Sequence, residues 1–130
     1  MDTETVIRTV IAAYAASDID TVLESCTDDI HYCVQSTPEC GPYFADCRGK
    51  AAFVDALNKY VEDWNFGAFE LIDIIVSGNR AATRQRVDFI NRGTGAQLQT
   101  RNALFWMVEG DKIAEILEFQ DTATIAAARG

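Results

Sequence analysis

The sequence holds one histidine and two prolines in 130 residues, and only 11 Lys and Arg against 20 Asp and Glu. Each scarcity removes a class of function. A formal net charge of -9 leaves no cluster of bases with which to track a phosphate backbone, so nucleic acid is not an expected partner. One histidine and scattered acids lack ligand spacing such as H-x-x-x-H, so no metal set is expected. Any Ser-His-Asp or Cys-His scheme would have to run through His31. There is no Gly-rich phosphate cradle either, because "RGTG" at Arg92 to Gly95 joins two strands and opens no helix. A cofactor-independent site is the economical expectation. No apolar run approaches the roughly 20 residues of a membrane span, and the N-terminus is amphipathic in place of a basic stretch followed by a greasy one. A cytoplasmic setting is expected, with no membrane partner.

Cysteine is present but not in pairs. Cys26, Cys33, Cys40 and Cys47 recur every seven residues, which fits neither the C-x2-C of zinc sites nor a redox C-x-x-C, so they read as free thiols. Cys40 and Cys47 share a loop in which they could meet.

The length suits a single domain, residues 1 to 130, with one core. Val6, Ile7, Val10, Ile11 and Tyr14 fall at helical spacing behind Asp2 or Thr3 as N-cap. Ser17 or Asp18 caps a second helix whose apolar face runs through Ile19, Val22, Leu23 and Cys26. Residues 30 to 35 read as a short strand, and Pro38, Gly41 and Pro42 break regular structure up to about Arg48. The Ser36 to Arg48 connection, with Tyr43 and Phe44, is expected to arch over a pocket mouth as a lid. "KAAFVDALNKYVEDW" spaces Phe53, Leu57, Tyr60, Val61 and Trp64 on a third helical face. Four long strands follow, punctuated by "SGN", "RGTG" and "EGD", and Asp121 caps a last short helix.

One strand is odd. In "RQRVDFINR", residues 84 to 92, Arg84, Arg86 and Asp88 share one face while Gln85, Val87 and Phe89 share the other. The charged set is either a solvated sheet face or a charged group at the bottom of a pocket.

The element order, with "AASDIDTVLESCTDDI", "CRGKAAFVDAL" and "GDKIAEILEFQDTATIA", resembles the SnoaL-like branch of the nuclear transport factor 2-like superfamily, which includes ketosteroid isomerases, polyketide cyclases and limonene-type epoxide hydrolases. The resemblance implies an α+β cone: a strongly curved, mainly antiparallel sheet with three N-terminal helices over its concave face and a pocket between them. It then implies that "RQRVDFINR" lines the pocket. Epoxide hydrolases of this group carry an Arg-x-Asp pair on this strand, matched by Arg86 and Asp88, and an acid on the last strand, matched by Glu118. Tyr32 matches their water-holding tyrosine. The asparagine that shares that water lines up with Val34, whose side chain cannot hydrogen-bond, and the ketosteroid isomerase base also falls at Val34.

What the resemblance implies is an acid/base enzyme acting on a small, largely apolar organic molecule, cyclase-, dehydratase- or isomerase-like. Asp88 and Glu118 would handle protons and Arg86 would orient them. Limonene-type epoxide hydrolysis and a non-catalytic ligand- or partner-binding domain are the alternatives. Tyr14, at the place of an oxyanion-hole tyrosine, with Tyr32, Trp64 and Phe105, would contact the ligand. If Tyr32 faces the cone, alternation turns His31 away from it. Leu104 with Trp106, and Leu117 with Phe119, form two alternating apolar sets expected to build the outer sheet face and a homodimer interface.

Overall fold

In the computed structural model, which describes residues 1–130, Asp2 accepts a hydrogen bond from the Thr5 amide and starts α1 (Thr3–Ala15). The apolar positions Val6, Ile7, Val10 and Ile11 are all buried, as their spacing requires. Ser17, at φ 56°, turns the chain sharply, and Asp18 caps α2 (Ile19–Glu24) through the Thr21 amide. Strand β1 (Cys26–Gln35) then begins almost at once. It is longer than the expected residues 30 to 35, and Cys26 belongs to it and not to the α2 face.

A 3₁₀ turn, Pro38–Cys40, and a short strand β2 (Ala45–Arg48) occupy the expected loop, followed by α3 (Lys50–Asp63). The meander is β3 (Trp64–Ser77), β4 (Arg80–Asn91), β5 (Gln97–Glu109) and β6 (Lys112–Gln120), and α4 (Thr122–Arg129) closes the chain behind its Asp121 cap. The tight turns after β3 and β5 carry Gly78 and Gly110 at positive φ, where a side chain would be strained.

The six strands form one sheet in the order β2-β1-β6-β5-β4-β3. Every neighbouring pair is antiparallel except β1 with β6. Register shifts at Phe66/Ala68 and Leu71/Asp73 in β3, and at Met107/Val108 in β5, bend the sheet. It curls without closing, and the helices lie in its hollow. The main core packs α1, α2 and Phe53 of α3 against Tyr32, Val34, Leu104, Trp106 and Ile116. A second core, around Cys40, Tyr43, Trp64, Phe89 and Ile125, sits under α4.

Strand alternation decides which side chains enter the hollow, and two strands have the opposite phase from that expected. On β4 the buried set is Ala81, Thr83, Gln85, Val87, Phe89 and Asn91. Arg84, Arg86 and Asp88 therefore point outward. On β5, Leu104 and Trp106 are 2% and 1% exposed, so they belong to the core and not to the outer face. Phe105 takes the outer position beside Phe119, ring centroids 5.9 Å apart and edge to face. The cause is the same in both strands. A face covered by helices keeps the side chains that lose least on leaving water, and a guanidinium and a carboxylate lose most.

Candidate functional site

Between the two cores lies a cavity of ≈ 580 Å³. Its wall is largely aromatic, drawn from helices, strands and the β1–β2 connection: Tyr14 leans on Phe69 at 5.5 Å, Tyr32 packs on Phe53 behind it at 4.5 Å and Tyr43 stacks on Tyr60 at 4.6 Å. Trp64 meets Phe89 edge to face at 4.6 Å. The exposed Val61 and Phe66 also line it and mark where it opens.

The polar groups come from two neighbouring strands. Glu118 and Gln120 are two apart on β6 and so share its inner face, and register places Asn102 of β5 directly opposite Gln120. Thr100 stands one step further along the same face. The Gln120 amide donates to the Glu118 carboxylate at 2.7 Å and to the Tyr60 hydroxyl at 2.8 Å. Thr100 Oγ1, Asn102 Oδ1 and Gln120 Oε1 are enclosed and have no protein partner.

Glu118 is the unusual group. Its accessible surface faces the cavity, and Val34, fully buried, lies beside it across the β1–β6 pair. Burial pushes its carboxyl up to about 7, and the hydrogen bond from Gln120 draws it back only in part. Burial, and then the charge of Glu118, also raise the Tyr14, Tyr32 and Tyr60 phenols well above their ordinary value, so all three stay protonated donors at neutral pH. The other carboxylate along the cavity, Asp121, caps α4 through Thr124, and those hydrogen bonds hold its pKa low.

Of the residues expected from sequence, Tyr14, Tyr32, Trp64 and Glu118 line this cavity. Arg86 and Asp88 do not reach it. Arg86 donates from Nη1 to both oxygens of Asp88, at 2.7 and 2.9 Å, and from Nη2 to Glu70 at 2.9 Å, all on the outer face. Hence the Arg-x-Asp match lies one residue out of phase with the inner face, and a one-residue offset turns every side chain to the other side. Phe105 is outside as well, 45% exposed. His31 points away from the cavity, opposite to Tyr32. Gln120 and Asn102 went unnoticed in the sequence. The alternation of "ILEFQ" puts Gln120 on the face of Glu118, but nothing local reveals Asn102, which arrives through β5–β6 pairing.

A family model described as SnoaL-like domain matches residues 7–116. Among solved structures, an NTF2-like protein from Burkholderia thailandensis superposes with TM-score 0.88 at 20% identity, covering 100% of this chain and 98% of its own. A Pseudomonas putida protein provisionally described as a polyketide cyclase gives TM-score 0.78 at 19% identity, covering 98% of each chain. TerC, co-crystallised with polyporic acid, gives TM-score 0.83 at 15% identity, covering 98% of this chain and 97% of its own. Comparison with curated proteins finds no match.

Proposed function

The chain belongs to the SnoaL-like domain family, and from that premise we propose that it is a cofactor-independent acid/base enzyme acting on a small organic molecule in the cone cavity, with Glu118 moving the proton. The observation that carries this reading is a carboxyl poised at about 7 inside a pocket of ≈ 580 Å³. Near neutral pH it populates both forms, which is the condition for a general acid or base to work in either direction. The volume lies within the range of small-molecule sites.

The aromatic wall suits a flat, largely apolar body. A carbonyl on that body, turned toward Tyr14 or Tyr32, would gain a hydrogen bond as charge develops on its oxygen while Glu118 removes a proton from the adjacent carbon. Gln120 holds the carboxylate in place. Such a step is shared by isomerisation, cyclisation and dehydration. The description of the P. putida relative and the polyporic acid with which TerC was co-crystallised support the substrate class. Limonene-type epoxide hydrolysis has less support, since the second carboxylate and its arginine lie on the other face of the sheet.

The test is α-proton exchange into D2O, followed by NMR, for a panel of cyclic aryl ketones and β-diketones. The wild type should accelerate exchange with an apparent pKa near 7. Glu118→Gln should lose about 10²- to 10⁴-fold while still binding. Binding without any exchange by the wild type would instead favour a non-catalytic ligand-binding domain.

A further inference from the structure

On the outer side of the sheet, away from the cavity, His31, Cys33 and Asp46 bring one donor atom each to within 4.8 Å of one another. The arrangement follows from pairing. His31 and Cys33 are two apart on β1 and share its outer face, and Asp46 of β2 is the direct antiparallel partner of Cys33. Glu115 of β6 is the parallel partner of His31 on the other side. Three adjacent strands therefore present a nitrogen, a thiol sulfur and two carboxylates at one spot, although the residues are widely separated in sequence.

We propose that His31 Nε2, Cys33 Sγ and Asp46 Oδ1 form a binding site for a zinc-class divalent ion. An ion pair would account for the contacts of His31 with Asp46, at 2.7 Å, and with Glu115, at 3.2 Å. It leaves Cys33 unexplained. The Cys33 sulfur is almost buried, faces the same two donors and has only a long contact of 3.8 Å from the Gln35 amide. The roles of the two imidazole nitrogens also fit a metal. Without a metal both ring nitrogens face carboxylates, as an imidazolium does; once Nε2 gives up its proton, with Nδ1–H still donating to Glu115, its lone pair points toward Cys33 and Asp46, which is the carboxylate–histidine–metal arrangement in which an outer acid sets the tautomer.

The donor set selects the ion. A thiolate and an imidazole with one carboxylate suit zinc, whereas magnesium and calcium require oxygen donors almost exclusively. Bonds of about 2.0–2.3 Å hold tetrahedral ligands about 3–4 Å apart. The exposed Asp46 carboxylate, 2.7 Å from the imidazole, therefore has to move outward by under about 1 Å, and a donor pair near the 4.8 Å limit has to close by about 1 Å. The ion replaces two protons, that of the Cys33 thiol and that on His31 Nε2, both released to solvent, and a water completes the fourth position. Glu115 is a positioning residue. The site would clip the four-residue edge strand β2 to β1.

The experiment is titration of the metal-free protein with Zn²⁺ by calorimetry and with Co²⁺ by absorption. The expected result is one ion per chain, a thiolate-to-cobalt charge-transfer band in the wild type, and a Zn²⁺-dependent rise in Tm. Cys33→Ser should abolish the band and weaken Zn²⁺ by at least about 10-fold. Glu115→Gln should weaken it by about 10- to 100-fold with the band retained. Cys47→Ser, on the opposite face of β2, should change neither. The band needs no variant to fold. Its absence from the wild type with Co²⁺ at about 0.1 mM, or its persistence in Cys33→Ser, would overturn the proposal.

Discussion

Glu118 carries a cost that is readable in stability. Its carboxyl is raised from 4.5 to about 7 on folding, so over that interval the native state binds a proton that the unfolded chain has released. The stability belonging to the neutral form is full below about 4.5, is lost as pH rises through about 7, and stays lost above it. A shift of that size is worth about 3 kcal/mol at most. Glu118→Gln is uncharged throughout, so in urea unfolding its advantage over the wild type should grow by about 2–3 kcal/mol between pH 5 and pH 8. A gap that does not change with pH would mean that the carboxyl is solvated. Asp88 behaves differently, since it pairs on the outer face with Arg86, which also holds Glu70. Asp88→Asn should be additive with Glu118→Gln to within about 0.5 kcal/mol in a double-mutant cycle. Coupling beyond that would require contact through the sheet.

Residues 36 to 44 cross one end of the cavity as an anchored connection. Tyr43 is 2% exposed, donates its hydroxyl proton to the Asp63 carboxylate, and accepts from the Trp64 indole at 2.9 Å. Cys40 in the 3₁₀ turn donates to the Thr122 carbonyl at 3.1 Å, which ties the segment to α4. A lid built here has to break these bonds to open. Tyr43→Phe keeps the ring but leaves the indole N–H and a carboxylate oxygen without their partner, so it should cost about 1–3 kcal/mol in chemical unfolding. The same variant should speed amide exchange in residues 36 to 44 ahead of the sheet. Unchanged exchange would show that stacking on Tyr60 and the Cys40–Thr122 bond hold the segment without the hydroxyl.

The outer sheet face leaves Phe105 and Phe119 45% and 42% exposed, with Ile75 at 72%. Exposed apolar side chains of this kind on a charged protein are where an interface is to be sought. The expectation is a homodimer pairing these faces, read as twice the chain mass by light scattering at micromolar concentration. Phe105→Glu should give a monomer and leave ligand affinity unchanged, because that side chain points away from the cavity. A monomeric wild type would remove the interface. No helix is long and apolar enough to cross a membrane.

The helices and turns were legible in the sequence because their causes are local: the spacing of Val6, Ile7, Val10 and Ile11, the caps at Asp2, Asp18 and Asp121, and the glycines between strands. The sequence also determined that Arg84, Arg86 and Asp88 share a face, since alternation needs only consecutive residues. Which face of the strand is dry is not a local property. It depends on what packs above it, and α1 comes to lie over Leu104 and α4 beside Val87, with Arg86 and Phe105 left outside. Glu118 was matched by resemblance and alternation sets Gln120 beside it, but Asn102 and Tyr60 join them only when β5 pairs with β6 and α3 folds across. The same holds for His31, Cys33 and Asp46, which show no ligand spacing in sequence and meet because β2 turns back along β1. Periodicity records which side chains travel together along a strand, whereas strand register and helix cover are long-range contacts, so only the tertiary structure decided which of these groups meet and which of them leave water.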